Sequence, residues 1–238
     1  MRAFIVGNGP SLKETPLELI EDEISYGANA VHLIYNETDW RPKHVVIGDL
    51  TAPHSAWVNE IVNKKKPWVV DERLDRFLTI IERNSDPHLA FKQRIHVRAG
   101  YEKWALKLLG PRENVSYFDV CTHHNLGVGE ELDERAPVGW HLPQVCRWGG
   151  AVLMAVQLAA LEGYTPLYLL GCDMGYVEGG DNHFVPDYDE PIGLAKAKAL
   201  NLIIGNAHDL ASVSWDIYNA SIAGVLESYP RVNLEELF

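Results

Sequence analysis

The chain alternates short apolar runs with longer, more polar stretches. Residues 3–6, 44–47 and 167–171 are rich in valine, isoleucine or leucine and end at or next to glycine. Apolar runs of this length, bounded by turn residues, predict buried strands. The same pattern predicts further strands at residues 30–35, 67–70, 94–97, 115–118 and 215–218.

Several of the longer stretches have helical spacing. Residues 149–161 are apolar on nearly every side, which predicts a helix buried against a sheet and ended by Gly163. Strands that alternate with helical crossovers form parallel sheets. The pattern therefore predicts an α/β fold, a single Rossmann-like domain whose mainly parallel sheet has helices on both faces. Further helices are predicted at residues 57–62, 74–81, 101–109 and 193–210.

Length and breaks in the pattern predict the domain organisation. A chain of 238 residues suffices for one large α/β domain, so residues 1–238 are expected to form a single nucleotide-binding domain. Residues 121–147 and 172–191 are irregular, with no clear apolar period. Long irregular segments in compact domains are often functional. Both segments are candidate lids, and the alternative for a long irregular segment is disorder.

The first predicted strand ends at Gly7-Asn8-Gly9-Pro10-Ser11. Ser11 is followed three residues later by glutamate, which is a capping-box pattern and predicts a helix start. A strand, a glycine-rich turn and a helix N-terminus together offer backbone N–H groups and a positive dipole end to phosphate. The alternative is an ordinary strand-to-helix turn, because the third glycine of the dinucleotide-binding fingerprint is missing.

Polar residues follow four of the predicted strands. These residues are Asn8, Asn36, Asp49 and Asp173. In open α/β sheets, ligands bind beyond the carboxyl ends of the strands, near a topological switch point. The four residues are therefore candidate nucleotide ligands, although asparagine and aspartate are also common turn residues.

The opening loop carries a family resemblance. The string Gly7-Asn8-Gly9-Pro10-Ser11, with the leucine that follows, resembles the N-terminal motif of the bacterial sialyltransferases of glycosyltransferase family 42. It is also similar to the related 6-hydroxymethylpterin diphosphokinase-like proteins, known as domain of unknown function 115. The resemblance implies a loop that holds the phosphate and ribose of a CMP-sugar donor, a direct contact from Asn8, and a homo-oligomer.

A second segment resembles the middle of the same sialyltransferases. Arg147 and Gly150 precede the apolar helix, and the strand after it runs into Gly171 and Asp173. The glycine pair Gly149–Gly150 leaves the helix start open to an anion, and Arg147 adds a fork of donors. The sialyltransferases have Thr-Ser before their glycine, so hydroxyl ligands are missing here. Arg147 could instead pair with an acidic side chain. The resemblance covers roughly residues 1–50 and 145–176.

Candidate catalytic residues follow the same segment. The sialyltransferases use tyrosines after the Gly-x-Asp strand end to hold phosphate, which implies this role for Tyr176, with Tyr188 as the alternative. Their general base is a histidine, and His183 is the nearest candidate, although it could be an ordinary loop histidine. The expected reaction is direct displacement of the nucleotide from the sugar by an acceptor hydroxyl, with Arg147 steadying the departing phosphate.

Two alternatives to this reaction remain open. Asp187 and Asp189 fit the Asp-x-Asp pattern that binds Mg²⁺ or Mn²⁺ in many nucleotide-sugar transferases. The family-42 enzymes need no such motif, so the resemblance does not firmly imply a cofactor. The chain could instead be a Mg²⁺-dependent diphosphokinase that uses ATP, because polyphosphate charge must be offset. It could also be a non-catalytic nucleotide-binding module.

Charge and composition limit the partners. A net charge of −12 argues against nucleic acid and against a polybasic membrane surface. The three cysteines are too widely spaced for a disulfide framework, and no apolar run has transmembrane length. The expected partners are a small nucleotide donor and a hydroxyl acceptor, and the expected location is cytoplasmic.

Overall fold

A computed structural model describes the chain in seven segments, which include both of its ends. The described residues are 1–29, 31–48, 94–98, 115–121, 144–146, 150–185 and 192–238. The strands are β1 (Ala3–Val6), β2 (Ser25–Ala28), β3 (His44–Ile47), β4 (Arg94–Arg98), β5 (Val115–Cys121), β6 (Gln144–Cys146), β7 (Leu167–Leu170) and β8 (Ile217–Asn219). The α-helices of these residues are α1 (Ala151–Leu161) and α2 (Leu194–Ser214), and the 3₁₀ helices are Pro10–Glu14, Leu17–Ile20, Val31–Asn36 and Leu234–Leu237.

The eight strands of the described residues form one sheet in the order β6-β5-β4-β3-β2-β1-β7-β8. Every neighbouring pair is parallel. The predicted Rossmann-like α/β fold is therefore confirmed. From β1 the chain first adds strands on one side, through β2 to β6, and then crosses to the other side with β7 and β8. The topological switch point lies between β1 and β7.

Residues of β1 alternate between two apolar layers. Ala3 and Ile5 pack in a layer with residues of α1 and α2, whereas Phe4 and Val6 pack with the 3₁₀ helices and the C-terminal residues. Eight of the eleven residues of α1 are buried, as its apolar sequence predicted. None of the helices in the described residues has the length and apolarity needed to cross a membrane.

Most predicted elements that fall on described residues are confirmed. The runs at residues 3–6, 44–47, 94–97, 115–118 and 167–171 are strands, and the run at 215–218 overlaps β8. The helices predicted at 149–161 and 193–210 are α1 and α2. Gly163 follows α1 with a φ of 86°, a left-handed conformation that suits a helix end. The elements predicted at 57–62, 67–70, 74–81 and 101–109 lie outside the described residues.

The strand predicted at residues 30–35 is wrong. Val31–Asn36 is a 3₁₀ helix, and the second strand of the sheet is the preceding segment Ser25–Ala28. A Cβ on Gly27 would lie 2.5 Å from a methyl group of Val31. The small residues of β2 therefore allow the chain to fold back over the strand, and this packing outweighs their weak β-propensity.

Two local predictions also need correction. The helix expected after the opening loop is a five-residue 3₁₀ helix, Pro10–Glu14, with Gly9 rather than Ser11 at its N-cap. The predicted irregular segment 121–147 is not irregular throughout, because its first residue ends β5 and Gln144–Cys146 forms the edge strand β6. Residues 172–185 of the second predicted lid contain no helix or strand.

Candidate functional site

Two loops meet at the topological switch point. One follows β1 and contains Gly7 and Gly9, and the other follows β7 and begins at Gly171. The Gly7 amide donates to the Leu170 carbonyl (N···O 2.8 Å), and the Gly9 amide donates to the Gly171 carbonyl (2.7 Å). These bonds continue the pairing of β1 with β7 beyond the strands, so the two loops form one structural unit.

The glycines of the opening loop are required by the packing of that unit. A Cβ on Gly7 would lie 2.6 Å from the Gly171 carbonyl oxygen, and a Cβ on Gly9 would lie 2.6 Å from an Asp173 carboxylate oxygen. Gly171 itself has a φ of 59°, which favours glycine. The close approach that the sequence predicted at Gly7 and Gly9 is made to the neighbouring loop of the protein.

Asp173 is the centre of the contact between the two loops. One carboxylate oxygen accepts from the Ser11 amide (2.7 Å) and the other accepts from the Ser11 hydroxyl. The Asp173 carbonyl oxygen accepts from the Val225 amide (2.7 Å). Both Asp173 and Ser11 are buried. The carboxylate therefore stabilises the start of the 3₁₀ helix Pro10–Glu14, where a negative charge is favourable.

Asn8 lies between the ends of β1 and β2. Its side-chain Nδ2 donates to the carbonyl of Ala28, the last residue of β2 (2.9 Å). Its backbone carbonyl accepts from the Phe184 amide (2.9 Å), which brings the second predicted lid to the switch point. The Nδ2 bond fixes the orientation of the amide, and the other atom, Oδ1, is buried without a hydrogen-bond partner among the described residues.

The residue that follows β2 is Asn29, which the sequence reasoning missed. Its backbone has a φ of 45°, and its side-chain Oδ1 accepts from the Gly48 amide (3.0 Å). Asn29 thereby joins the carboxyl ends of β2 and β3. Asparagine adopts the left-handed conformation more readily than most residues, and this preference is the feature of the sequence that could have identified Asn29 as a turn residue. Asn36, predicted at this edge, is exposed at the end of a 3₁₀ helix instead of following a strand.

Tyr176 and His183 lie together on the loop that follows β7. Their rings are 6.3 Å apart in an edge-to-face arrangement. The side chain of Asn201, on α2, accepts from the Tyr176 amide (2.7 Å) and donates to its carbonyl (2.8 Å). The residue after His183 is Phe184, whose amide donates to the Asn8 carbonyl. His183 therefore directly precedes a residue that contacts the predicted nucleotide ligand. Asn201 carried no recognisable signal in the sequence.

The remaining predicted site residues are only partly described. Gly150 precedes α1 without a side-chain cap, and no described atom lies within 4 Å of the position that its Cβ would take. The α1 N-terminus is therefore uncapped within the described residues, as an anion-binding helix start requires. Arg147, Gly149, Asp49, Asp187 and Asp189 lie outside the described residues.

Cys172, between Gly171 and Asp173, does not have the properties of a nucleophile. Burial raises the pKa of its thiol to about 12, with a further contribution from the negative charge of Asp173. The thiol donates a weak hydrogen bond to the Leu170 carbonyl (3.3 Å). Because only a thiolate is strongly nucleophilic, Cys172 is a structural residue of the β7 loop.

The parallel sheet and its paired switch-point loops define a Rossmann-like α/β fold. The structure is similar to that of the MAf glycosyltransferase from Magnetospirillum magneticum AMB-1, with a TM-score of 0.53 and 14% sequence identity. The match covers 100% of this chain and 34% of that one, so the chain spans about a third of the length of its structural neighbour. No protein-family model and no curated protein matches the sequence.

Proposed function

We propose that the chain is a transferase that moves a sugar from a nucleotide donor, of the CMP-sugar type, to an acceptor hydroxyl. The observation that carries this proposal is the amide oxygen of Asn8, a buried acceptor without a described partner at the topological switch point. The glycosyltransferase-like fold supports the same class of reaction. The specificity for CMP rests on the resemblance of residues 7–12 to the sialyltransferase motif.

The chemistry of Asn8 favours a ligand that donates a hydrogen bond. A buried polar atom without a partner costs about 1–3 kcal/mol, and this cost is recovered when a ligand supplies a donor. The ribose hydroxyls and the amino group of cytosine are such donors. Because the Asn8 Oδ1 is buried, a ligand that reaches it displaces atoms that now cover it.

The other residues of the site have distinct roles in this proposal. Asp173 and Ser11 shape the opening loop by binding each other, which leaves Asn8 as its direct contact to the nucleoside. The start of α1 at Gly150, with Arg147 and Gly149 before it, meets the phosphate and steadies it as it departs. His183 acts as the general base that removes the proton of the acceptor hydroxyl.

A thermal-shift screen with CMP, CDP, UDP, GDP, ADP and ATP, each with and without Mg²⁺, tests the proposal. A ligand at a hundred times its dissociation constant adds about 2.7 kcal/mol of stability. At about 2–4 °C per kcal/mol, the expected shift is roughly 5–11 °C. A response to CMP that needs no metal supports the proposal. A response to ATP that needs Mg²⁺ supports a diphosphokinase instead, and no response to any nucleotide contradicts both.

A second assay separates a transferase from a non-catalytic nucleotide-binding module. The parent protein is incubated with a CMP-sugar and simple hydroxyl acceptors, and free CMP is measured over time. The proposal predicts release of CMP that depends on protein concentration. Tight binding of CMP without any such release would show a binding module.

A further inference from the structure

A cluster of three side chains of types that can bind metal ions lies at the opposite edge of the sheet from the switch point. His44 is the first residue of β3, His96 lies in β4, and Glu162 directly follows α1. Helix α1 begins next to the carboxyl end of β3, since Ala151 lies against Gly48. Its other end therefore brings Glu162 to the edge where the strands begin.

The three side chains converge on one point. His44 Nδ1 lies 2.9 Å from His96 Nε2 and 4.0 Å from Glu162 Oε2. The three candidate ligand atoms all lie within 4.8 Å of one another. Both histidines are buried, whereas Glu162 is exposed. The cluster is thus a buried imidazole pair with a carboxylate at the protein surface.

Tyr26 supports this arrangement from the neighbouring strand. Its hydroxyl donates to Glu162 Oε2 (2.9 Å), and its ring stacks on the ring of His44 with centroids 4.1 Å apart. A hydrogen bond to a ligating carboxylate is a common feature of metal sites, because it orients the ligand. Tyr26 therefore holds two of the three candidate ligands in place.

The short distance between the facing nitrogens of the two histidines limits the number of protons that they carry. At 2.9 Å the two atoms can share only one proton, so His44 and His96 cannot both present N–H groups to each other. At least one of the two nitrogens therefore carries a free lone pair, and the proton that the pair shares is released to solvent when both nitrogens bind a metal ion. Arg94 lies opposite His44 in the β3–β4 register, and at His96 the negative charge of Glu162 opposes the positive charge of Arg94.

We propose that His44, His96 and Glu162 form a binding site for a divalent transition-metal ion of the zinc type, with solvent as the fourth ligand. Two histidines and one glutamate form an established zinc ligand set with one open position. With Zn–N distances of about 2.0–2.1 Å, tetrahedral binding needs the two nitrogens about 3.3 Å apart, a modest widening of the observed gap. The site connects the end of α1 to β3 and β4 and is independent of the proposed transferase activity.

Zinc titration of the purified full chain tests this site. The protein is first stripped with a chelator and dialysed, and zinc affinity is then measured by competition with a chromophoric chelator, with bound zinc counted by elemental analysis. The variants are Glu162→Gln and His96→Phe, which keeps an aromatic ring in the stack. The control is Glu227→Gln, a change at an exposed glutamate outside the cluster.

The parent and Glu227→Gln are expected to bind one zinc ion at this site and to melt at a higher temperature with zinc. Affinity at this site should be at least about tenfold weaker in Glu162→Gln, and one zinc equivalent should be lost in His96→Phe. The sequence offers other soft ligands at Cys121, His123 and His124, so the difference between parent and variants is the decisive quantity. Equal zinc affinity and stoichiometry in the parent and Glu162→Gln would overturn the site, even if His96→Phe does not fold.

Discussion

Replacing Gly9 with alanine tests whether the two switch-point loops are packed so closely that no side chain fits between them. The backbone of Gly9 has φ −67° and ψ 159°, which any residue can adopt, so conformational strain does not contribute. The added Cβ would lie 2.6 Å from an Asp173 carboxylate oxygen and 2.7 Å from the Gly171 carbonyl oxygen. Both contacts are far shorter than a normal non-bonded separation of about 3.5–4.0 Å.

The size of the effect follows from the contacts that must move. Overpacking a tight site costs about 1–3 kcal/mol. Separation of the loops also weakens the Gly9–Gly171 hydrogen bond and the bonds from Ser11 to Asp173, and a hydrogen bond to a charged group contributes about 1.5–3 kcal/mol. Since one displacement relieves several contacts, we expect a total loss of about 2–4 kcal/mol in the free energy of unfolding.

Urea unfolding monitored by tryptophan fluorescence measures this loss. The matched control is Gly205→Ala in the interior of α2, where no described atom lies within 4 Å of the new Cβ. That change should stabilise the protein by about 0.5–1 kcal/mol, because glycine is the poorer helix former. A free energy of unfolding for Gly9→Ala within about 0.5 kcal/mol of the parent would refute the packing argument.

Three further changes have defined outcomes. Ser11→Ala removes one hydrogen bond to the buried Asp173 carboxylate and should lower the free energy of unfolding by about 1.5–3 kcal/mol in urea titrations. Burial lowers the pKa of His208 to about 4. Because the unfolded state then binds more protons, the folded state loses stability as the pH falls from about 6.5 to 4. His208→Gln should reduce the loss in the free energy of unfolding between pH 7 and 4.5 by about 2–3 kcal/mol. If His183 is the general base, His183→Ala should lower transfer by roughly 10²–10⁴-fold with CMP affinity unchanged; unchanged turnover would remove it from the mechanism.

Six of the eight strands that the structure describes and the buried helix could be predicted, because apolar runs of this length are typical of buried elements. The segment Ser25–Ala28 could not, because three of its four residues are weak strand formers (serine, glycine and alanine) and its position depends on packing by Val31. The neighbouring run at 30–35 has the better strand composition but is a 3₁₀ helix. In this part of the chain, tertiary contacts outweigh local preference.

The candidate site was predictable in its position but not in its contacts. Asn8 and Asp173 each follow a strand, and the switch point brings those two strands together. The pairing of Ser11 with Asp173 joins residues 162 positions apart, and no local pattern indicates such a contact. Asn29 was missed because the strand before it was missed, so the polar residues predicted at this edge of the sheet were incomplete.

Isothermal titration of CMP into the parent and into Asn8→Ala tests the central claim most directly. Asn233→Ala, which removes a side-chain cap of the C-terminal 3₁₀ helix, is the control for loss of an asparagine away from the switch point. We expect CMP to bind the parent and the control equally, and to bind Asn8→Ala at least about tenfold more weakly, which corresponds to about 1.4 kcal/mol. Equal CMP affinity in the folded Asn8→Ala variant, or no CMP binding by the parent, would contradict a nucleotide site at this loop.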